Sequence, residues 1–344
     1  MHICHVNLAG GFSGGERQTV NLIRELAGQS IRQTLIARPG SRLFSELDGA
    51  PNVVFRECSH FVLGHSTGGW DLIHCHDGKA VYWGWIESLV RRTPYIITRR
   101  VDNRIGSGRL TTSAYGRASA VVCLSSAIER VVRQRLATAN TVIIPSSFSA
   151  FPAEPERVSG LRSQYSGKRL VGQVGRLLKH KGYQVTIEAA RRLRDSSPDL
   201  QFVFLGEGPD EDWLQKLAEG LPNIRFLGHR DDVGDWLAAL DVFVFPSLSE
   251  GLGSTILEAM QHRVPVIGAN AGGIPDLIKD RENGLLVTAG DAQALAVAIQ
   301  QVLDEPGLAE GLATEALEGL KNFSPEEIAG RYAELYRKVL TTRS

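Results

Sequence analysis

One alternation runs twice along this chain and constrains its fold more than any other feature. Apolar runs "ICHVNL" (3–8), "QTLIAR" (33–38), "NVVF" (52–55), "DLIHC" (71–75), "YIIT" (95–98), "AVVCL" (120–124) and "TVIIP" (141–145) are separated by segments with helical spacing. The pattern restarts with "LVGQVG" (170–175), "QFVFLG" (201–206), "IRFLG" (224–228), "DVFVFP" (241–246) and "VPVIG" (264–268). Strands that are apolar throughout, not at every second residue, are buried on both faces. Alternation with helices makes such sheets parallel. The fold class is therefore α/β, with two Rossmann-like doubly wound domains, and 344 residues suit two domains.

The stretch near 150–168, with "FPAEPERVSG", carries two prolines, charges and no period, and reads as a linker. The expected domains are 1–160, 161–323 and a final helical segment, 324–344, that packs back on the first domain. That segment opens with Ser324 as N-cap and Pro325 at the first helical position, and Ile328, Tyr332, Leu335, Tyr336 and Val339 follow at helical spacing. Ligands of open α/β sheets bind at the carboxyl ends of the strands, so with two sheets the site is expected in a cleft between them.

Charge is balanced overall but uneven. Residues 1–165 hold 19 Lys and Arg against 12 Asp and Glu, a balance of +7, and residues 166–344 hold 19 against 26, a balance of −7. A basic first half suits an anionic partner: a phosphorylated acceptor, an anionic membrane face met peripherally, or nucleic acid. No recognition motif or aromatic-studded basic stripe appears, so nucleic acid is not expected. Cys4, Cys58, Cys75 and Cys123 sit mostly in strand-like runs, the habit of a reduced protein. With no signal-peptide pattern and no apolar run of spanning length, a cytoplasmic protein is expected.

Three glycine-rich stretches follow strands. "AGGFSGGERQ" (9–18) offers backbone amides for an anion but is neither a dinucleotide fingerprint nor a P-loop. In "GQVGRLLKHKG" (172–182), Arg176 and Lys181 flank a loop at a strand's end, where a fork and a point charge suit a diphosphate. In "SEGLGSTILEAM" (249–260), Glu250 sits in the loop, where a carboxylate accepts from sugar hydroxyls. Glu258 has two readings: the last residue of a Thr255–Glu258 capping box, or a ligand. His74 and His76 point to one side of a strand, so a metal pair is conceivable, but no further ligand is evident. Acids 210–212, "DED", match a metal-binding pattern, yet their place at a helix start complements the helix dipole. "YWGWIESLVRR" (82–92) mixes aromatics with Arg91 and Arg92 and suits either a membrane interface or a helix packed on the sheet.

In their joint order these motifs resemble the GT-B glycosyltransferases of family 4, over nearly the whole chain. The matching stretches are "LAGGFSGGERQTVNL", "DLIHCHDGKA", "VGQVGRLLKHKG", "FLGEGPDED", "IRFLGHRDDVGDWLAALDVFVFPSLSEGLGSTILEAM" and "VPVIGANAGGIPDLI". The resemblance implies a retaining, hexosyl-type transferase that uses a nucleotide-sugar donor and a glycan or lipid-linked acceptor, in polysaccharide or lipopolysaccharide biosynthesis, with no metal or other cofactor. It implies that Arg176 and Lys181 neutralise the donor diphosphate and that Glu250 takes the sugar hydroxyls. Gly251, Leu252 and Gly253 would hold sugar and phosphate, Glu258 the ribose, and Arg230 would stack on the base. Gly14 and Gly15 would lie near the diphosphate. On the acceptor side it implies His76 and Asp77. Where members of the family often carry a histidine near the reacting carbon, this chain has Arg99 and Arg100. A nucleotide-sugar epimerase of the same fold and a non-catalytic nucleotide-sugar-binding module are the alternatives.

Overall fold

The computed structural model describes residues 1–62, 65 and 68–342. Two compact units emerge: Met1–Ser147 together with the chain from Phe323 onward, and Phe148–Asn322. The first unit runs β1 (His2–Asn7), α1 (Gly14–Ala27), β2 (Arg32–Ala37), α2 (Arg42–Glu46), β3 (Val53–Glu57), β4 (Leu72–Cys75), α3 (Gly78–Arg91), β5 (Tyr95–Arg99), α4 (Arg109–Gly116), β6 (Ala120–Cys123), α5 (Ser126–Arg135) and β7 (Thr141–Ile143). Its seven strands are parallel, in the order β3-β2-β1-β4-β5-β6-β7.

The second unit runs α6 (Pro155–Gln164), β8 (Arg169–Val174), α7 (Tyr183–Leu193), β9 (Leu200–Leu205), α8 (Glu211–Leu217), β10 (Ile224–Phe226), α9 (Val233–Ala239), β11 (Val242–Phe245), α10 (Thr255–Gln261), β12 (Val266–Ala269), β13 (Leu285–Val287), α11 (Ala292–Asp304) and α12 (Pro306–Gly319). Its six strands are also parallel, ordered β10-β9-β8-β11-β12-β13. Strand β13, three residues long, is not apparent from the sequence pattern. Among the described residues no helix is long and apolar enough to cross a membrane. All four cysteines are free and buried.

Residues 155–164, expected as linker, form helix α6 instead, with Pro155 at its first position. It packs on α9 and is pinned by Arg157 to Asp235 (2.8 Å) and by both Arg162 terminal nitrogens to Asp241 (2.8 Å each). The helix therefore belongs to the second unit, and the boundary falls at Ser147–Phe148 rather than at 160.

Helix α13 (Pro325–Thr341) returns to the first unit. Ser324 caps it by accepting from Glu327 N–H (3.1 Å). Its Ile328, Tyr332, Leu335, Tyr336 and Val339 are buried in one cluster with Leu22 and Leu26 of α1 and with Ile3, Leu72, Ile96, Ala120 and Val122 of the sheet. Each such side chain is worth about 1.5–3 kcal/mol when fully buried. Two polar ties fix the register of α13: Tyr336 Oη bonds His74 Nδ1 (2.7 Å), and Tyr332 Oη bonds Thr98 Oγ1 (3.0 Å).

Candidate functional site

In the second unit the strand order reverses between β8 and β11, where open α/β sheets take ligands. Three loops meet at those strand ends. Gly182 follows the turn Lys179–Lys181 at φ +76°, and a Cβ there would lie 1.9 Å from the Pro246 carbonyl oxygen, so only glycine permits the approach. Leu248 N–H donates to His180 O (2.7 Å), and Gly273 N–H donates to Glu250 O (2.9 Å). On this frame Lys181 Nζ donates to Glu250 Oε2 and stands 5.5 Å from the Phe245 ring centre. Gln173, buried in β8, holds the lysine's backbone: its Nε2 donates to Lys181 O (2.9 Å) while its Oε1 accepts from Thr186 Oγ1 (2.7 Å). No motif marks Gln173 in the sequence, because a polar residue inside an apolar strand looks like noise until its partners are seen.

A cavity of about 600 Å³ opens at the ends of β8 and β9. Arg176, Gly206, Glu207, Gly208, His229 and Arg230 are among its lining residues. Arg176 is exposed and forms no ion pair among the described residues. Arg230 is gripped by Asp232 through two bonds (2.8 and 2.6 Å), so its planar fork is held in one orientation. The Arg230 guanidinium holds the Asp232 carboxyl below its usual range. A Cβ on Gly206 would meet Gly175 O at 2.1 Å, and one on Gly208 would meet Leu177 O at 2.2 Å. Gly206 and Gly208 are not among the expected site residues; the G-x-G-P at a strand end is the signal that marks them.

Lys181, Glu250 and Glu258 do not line that cavity. Glu258 is buried in the first turn of α10, whose N-cap is Ser254, so it sits one position beyond the place a capping box requires. Gly251 and Leu252 are buried, and Gly253, at φ +92°, turns the chain into α10. Two of the three "DED" acids are engaged locally: Asp210 Oδ2 accepts from Lys179 N–H (2.8 Å), and Glu211 Oε1 accepts from Gln215 Nε2 (3.1 Å).

In the first unit the reversal lies between β1 and β4. Gly14 and Gly15 open α1, with the Glu16 carboxylate accepting from Ser13 N–H (2.9 Å) and Ser13 Oγ (2.7 Å). Asp77 caps α3 by accepting from Ala80 N–H (2.7 Å), and its other oxygen accepts from Leu8 N–H (2.6 Å). Both carboxylate oxygens are thus committed to holding the loop after β1 against α3. His76 Nε2 bonds His5 Nδ1 (3.0 Å), and Arg100 Nη2 lies 3.5 Å from His76 Nδ1. Arg99 points elsewhere, bonding Asn103 Oδ1 (2.8 Å), Asn103 O and Tyr115 Oη (3.2 Å).

His5 completes a group with His74 and His76 whose ring nitrogens lie within 4.8 Å of one another, a third member that the sequence reading did not find. In outline that is a metal-ligand set. Both nitrogens of His74 are already bonded, however, to Tyr336 Oη and Thr98 Oγ1 (2.7 Å each). The cluster is a buried hydrogen-bonded network instead. Burial pushes His5 down to about 3 and His74 and His76 well below the usual histidine value, so all three are neutral near pH 7.

Comparison with known proteins agrees with the fold. Residues 162–318 match the family model of glycosyl transferases group 1. The chain is a glycosyltransferase of the GT-B fold, its second unit carrying the group 1 domain. It is 29% identical, over 97% of its length and 98% of the relative's, to the lipopolysaccharide core biosynthesis glycosyltransferase LpsE of Rhizobium meliloti. It is 26% identical to LpsD of the same organism over the full length of both chains. The crystal structure of Anabaena Alr3699/HepE in complex with UDP and glucose superposes with a TM-score of 0.81 at 23% identity, covering 98% of this chain and all of that one.

Proposed function

We propose that the chain is a retaining hexosyltransferase of family 4 that moves a sugar from a nucleotide-sugar onto a lipopolysaccharide core or related cell-surface glycan. The observation that carries the reading is a cavity lined by Arg176 and Arg230, together with the Lys181–Glu250 ion pair, all at strand ends of the second sheet. The names of LpsE and LpsD support the acceptor class, and the UDP and glucose bound to HepE support a nucleotide-sugar donor.

On this reading Arg230, its plane fixed by Asp232, stacks on the base. Arg176 and Lys181 take up the charge that develops on the departing diphosphate, the large electrostatic contribution in sites of this kind. Lys181 exchanges Glu250 for phosphate when donor binds, which frees the Glu250 carboxylate to accept from sugar hydroxyls. Glu258 takes the ribose, and the Gly251, Leu252 and Gly253 amides hold sugar and phosphate. Gly14 and Gly15 serve the donor, and His76 serves the acceptor. No metal or cofactor is required, because cations of the chain serve the leaving group. The protein works in the cytoplasm, and its basic first half meets the anionic membrane surface that carries the acceptor.

Thermal-shift screening against UDP-, GDP- and ADP-sugars tests this. A ligand at 100 times its dissociation constant adds about 2.7 kcal/mol of stability. One nucleotide class should raise the melting temperature, and Arg176→Ala should abolish the rise. If no nucleotide-sugar shifts the wild type, the donor reading fails. Donor consumption without any acceptor would favour an epimerase-type reaction instead.

A further inference from the structure

The loop that carries Arg176 and Lys181 is braced from both sides by buried side chains. It leaves β8 at Gly175, whose φ of +150° other residues rarely adopt, and it enters α7 after Gly182. Gln173, in β8, reaches forward: its Nε2 donates to Lys181 O (2.9 Å). Tyr183, in the first turn of α7, reaches back: its Oη donates to Gly175 O (2.8 Å). Each tie spans eight residues, and the two overlap. The strand thus holds the far end of the loop, and the helix holds the near end.

Neither side chain has room to turn. Gln173 is 2% exposed, and its Oε1 accepts from Thr186 Oγ1 (2.7 Å), which is itself buried. Tyr183 is fully buried, with its ring edge-on to Phe204 at 5.2 Å between centres. Burial pushes the Tyr183 phenol up, so it remains a donor. Stability alone does not call for these groups. An amide inside an apolar strand costs desolvation, and apolar side chains of the same shape can serve a core equally well. What the bonds add is direction. The Arg176 side chain has no hydrogen bond or ion pair among the described residues, so its backbone alone aims it into the cavity that it lines. Lys181 has Glu250 as its ion-pair partner and takes its aim from the carbonyl that Gln173 holds. A misplacement of about 1 Å in a charged group at a reacting centre can cost about 10²-fold.

We propose that Gln173 and Tyr183 are positioning residues for the donor diphosphate: Tyr183 aims Arg176, Gln173 aims Lys181, and both act only through those cations. This rests on the glycosyl-transfer reading above and adds to it the residues that set the grip of its cations.

The test titrates the full chain with UDP, GDP and ADP and, separately, with uridine, guanosine and adenosine. Wild type is compared with Tyr183→Phe and Gln173→Met, each alone and combined with Arg176→Ala or Lys181→Ala. Tyr183→Phe and Gln173→Met should each weaken the tightest-bound nucleoside diphosphate about tenfold. Affinity for the matching nucleoside, which lacks phosphate, should stay within about twofold. The Tyr183→Phe effect should vanish beside Arg176→Ala, and the Gln173→Met effect beside Lys181→Ala, because aiming a missing cation changes nothing. Thr186→Val, which removes the bond that orients the Gln173 amide, takes the place of Gln173→Met should that variant fold poorly. Equal losses for nucleoside and diphosphate, or losses that persist in full without the cation, would make the ties merely structural and overturn the proposal. Unchanged diphosphate affinity in both variants, while Arg176→Ala and Lys181→Ala weaken it, would overturn the proposal and leave the donor reading standing. If wild type binds none of the three diphosphates, or neither cation matters to them, the donor reading itself fails and the proposal falls with it.

Discussion

Arg99 and Arg100 part company at the end of β5 because successive residues of a strand point to opposite faces. One is buried against Asn103 and Tyr115, and the other reaches the loop after β1. The sequence shows the pair but not which member faces the site, since that depends on register. Arg176 and Lys181 were readable, because cations beside a glycine at a strand's end are unusual in a first helical turn. Arg176→Ala and Lys181→Ala should each lower kcat/KM by about 10²–10³ with the true donor, measured by steady-state kinetics. Rates within threefold of wild type would end the leaving-group role. Gly206 carries a stability consequence. It sits at φ +131°, and an added Cβ would stand 2.1 Å from Gly175 O. Gly206→Ala should therefore cost at least about 1–3 kcal/mol in urea unfolding, even before any effect on the cavity it lines.

At the scale of elements, the doubly wound sheets were legible because parallel strands buried on both faces leave continuous apolar runs. Two elements escaped. Strand β13 is only Leu285–Val287, shorter than any periodicity can register. Helix α6 hides behind prolines and charge, buries none of its residues, and is held largely through arginine pairs. Helix α13 was visible from its cap and spacing, but not the two tyrosine hydroxyls that lock it. Tyr336→Phe leaves His74 Nδ1 without its partner in a dry core, so a loss of about 1–3 kcal/mol is expected in chemical denaturation. The same substitution at an exposed position would change almost nothing, so an effect below about 0.5 kcal/mol would show that the tie is dispensable.

For the whole molecule, the neutral histidine core sets an acid limit. Above about pH 6.5 the three imidazoles are neutral folded and unfolded, so they contribute no pH dependence. As pH falls below that value the unfolded chain takes up protons that the folded core refuses. Stability should then drop by about 1.4 kcal/mol per pH unit for each histidine, for His5 down to about pH 3. Denaturation at pH 5, 6 and 7 measures the slope, and His5→Gln should make it shallower. A slope unchanged in that variant would mean that His5 is not held neutral.

The return of α13 bears on how the protein is made. The first sheet leaves the ribosome early, yet the helix that covers Ile3, Leu72 and Ile96 is translated only after the entire second unit. Domains tend to fold as units during synthesis. Here the unit translated first is completed last, and the nascent chain carries an uncovered apolar sheet for the time needed to make about 175 more residues, roughly 10–35 s at 5–20 residues per second. Nascent chains stalled with α13 still inside the exit tunnel should show a protease-resistant second unit and a sensitive first one, with resistance of the first appearing once α13 emerges. Early protection of the first unit would mean that it folds without its last helix.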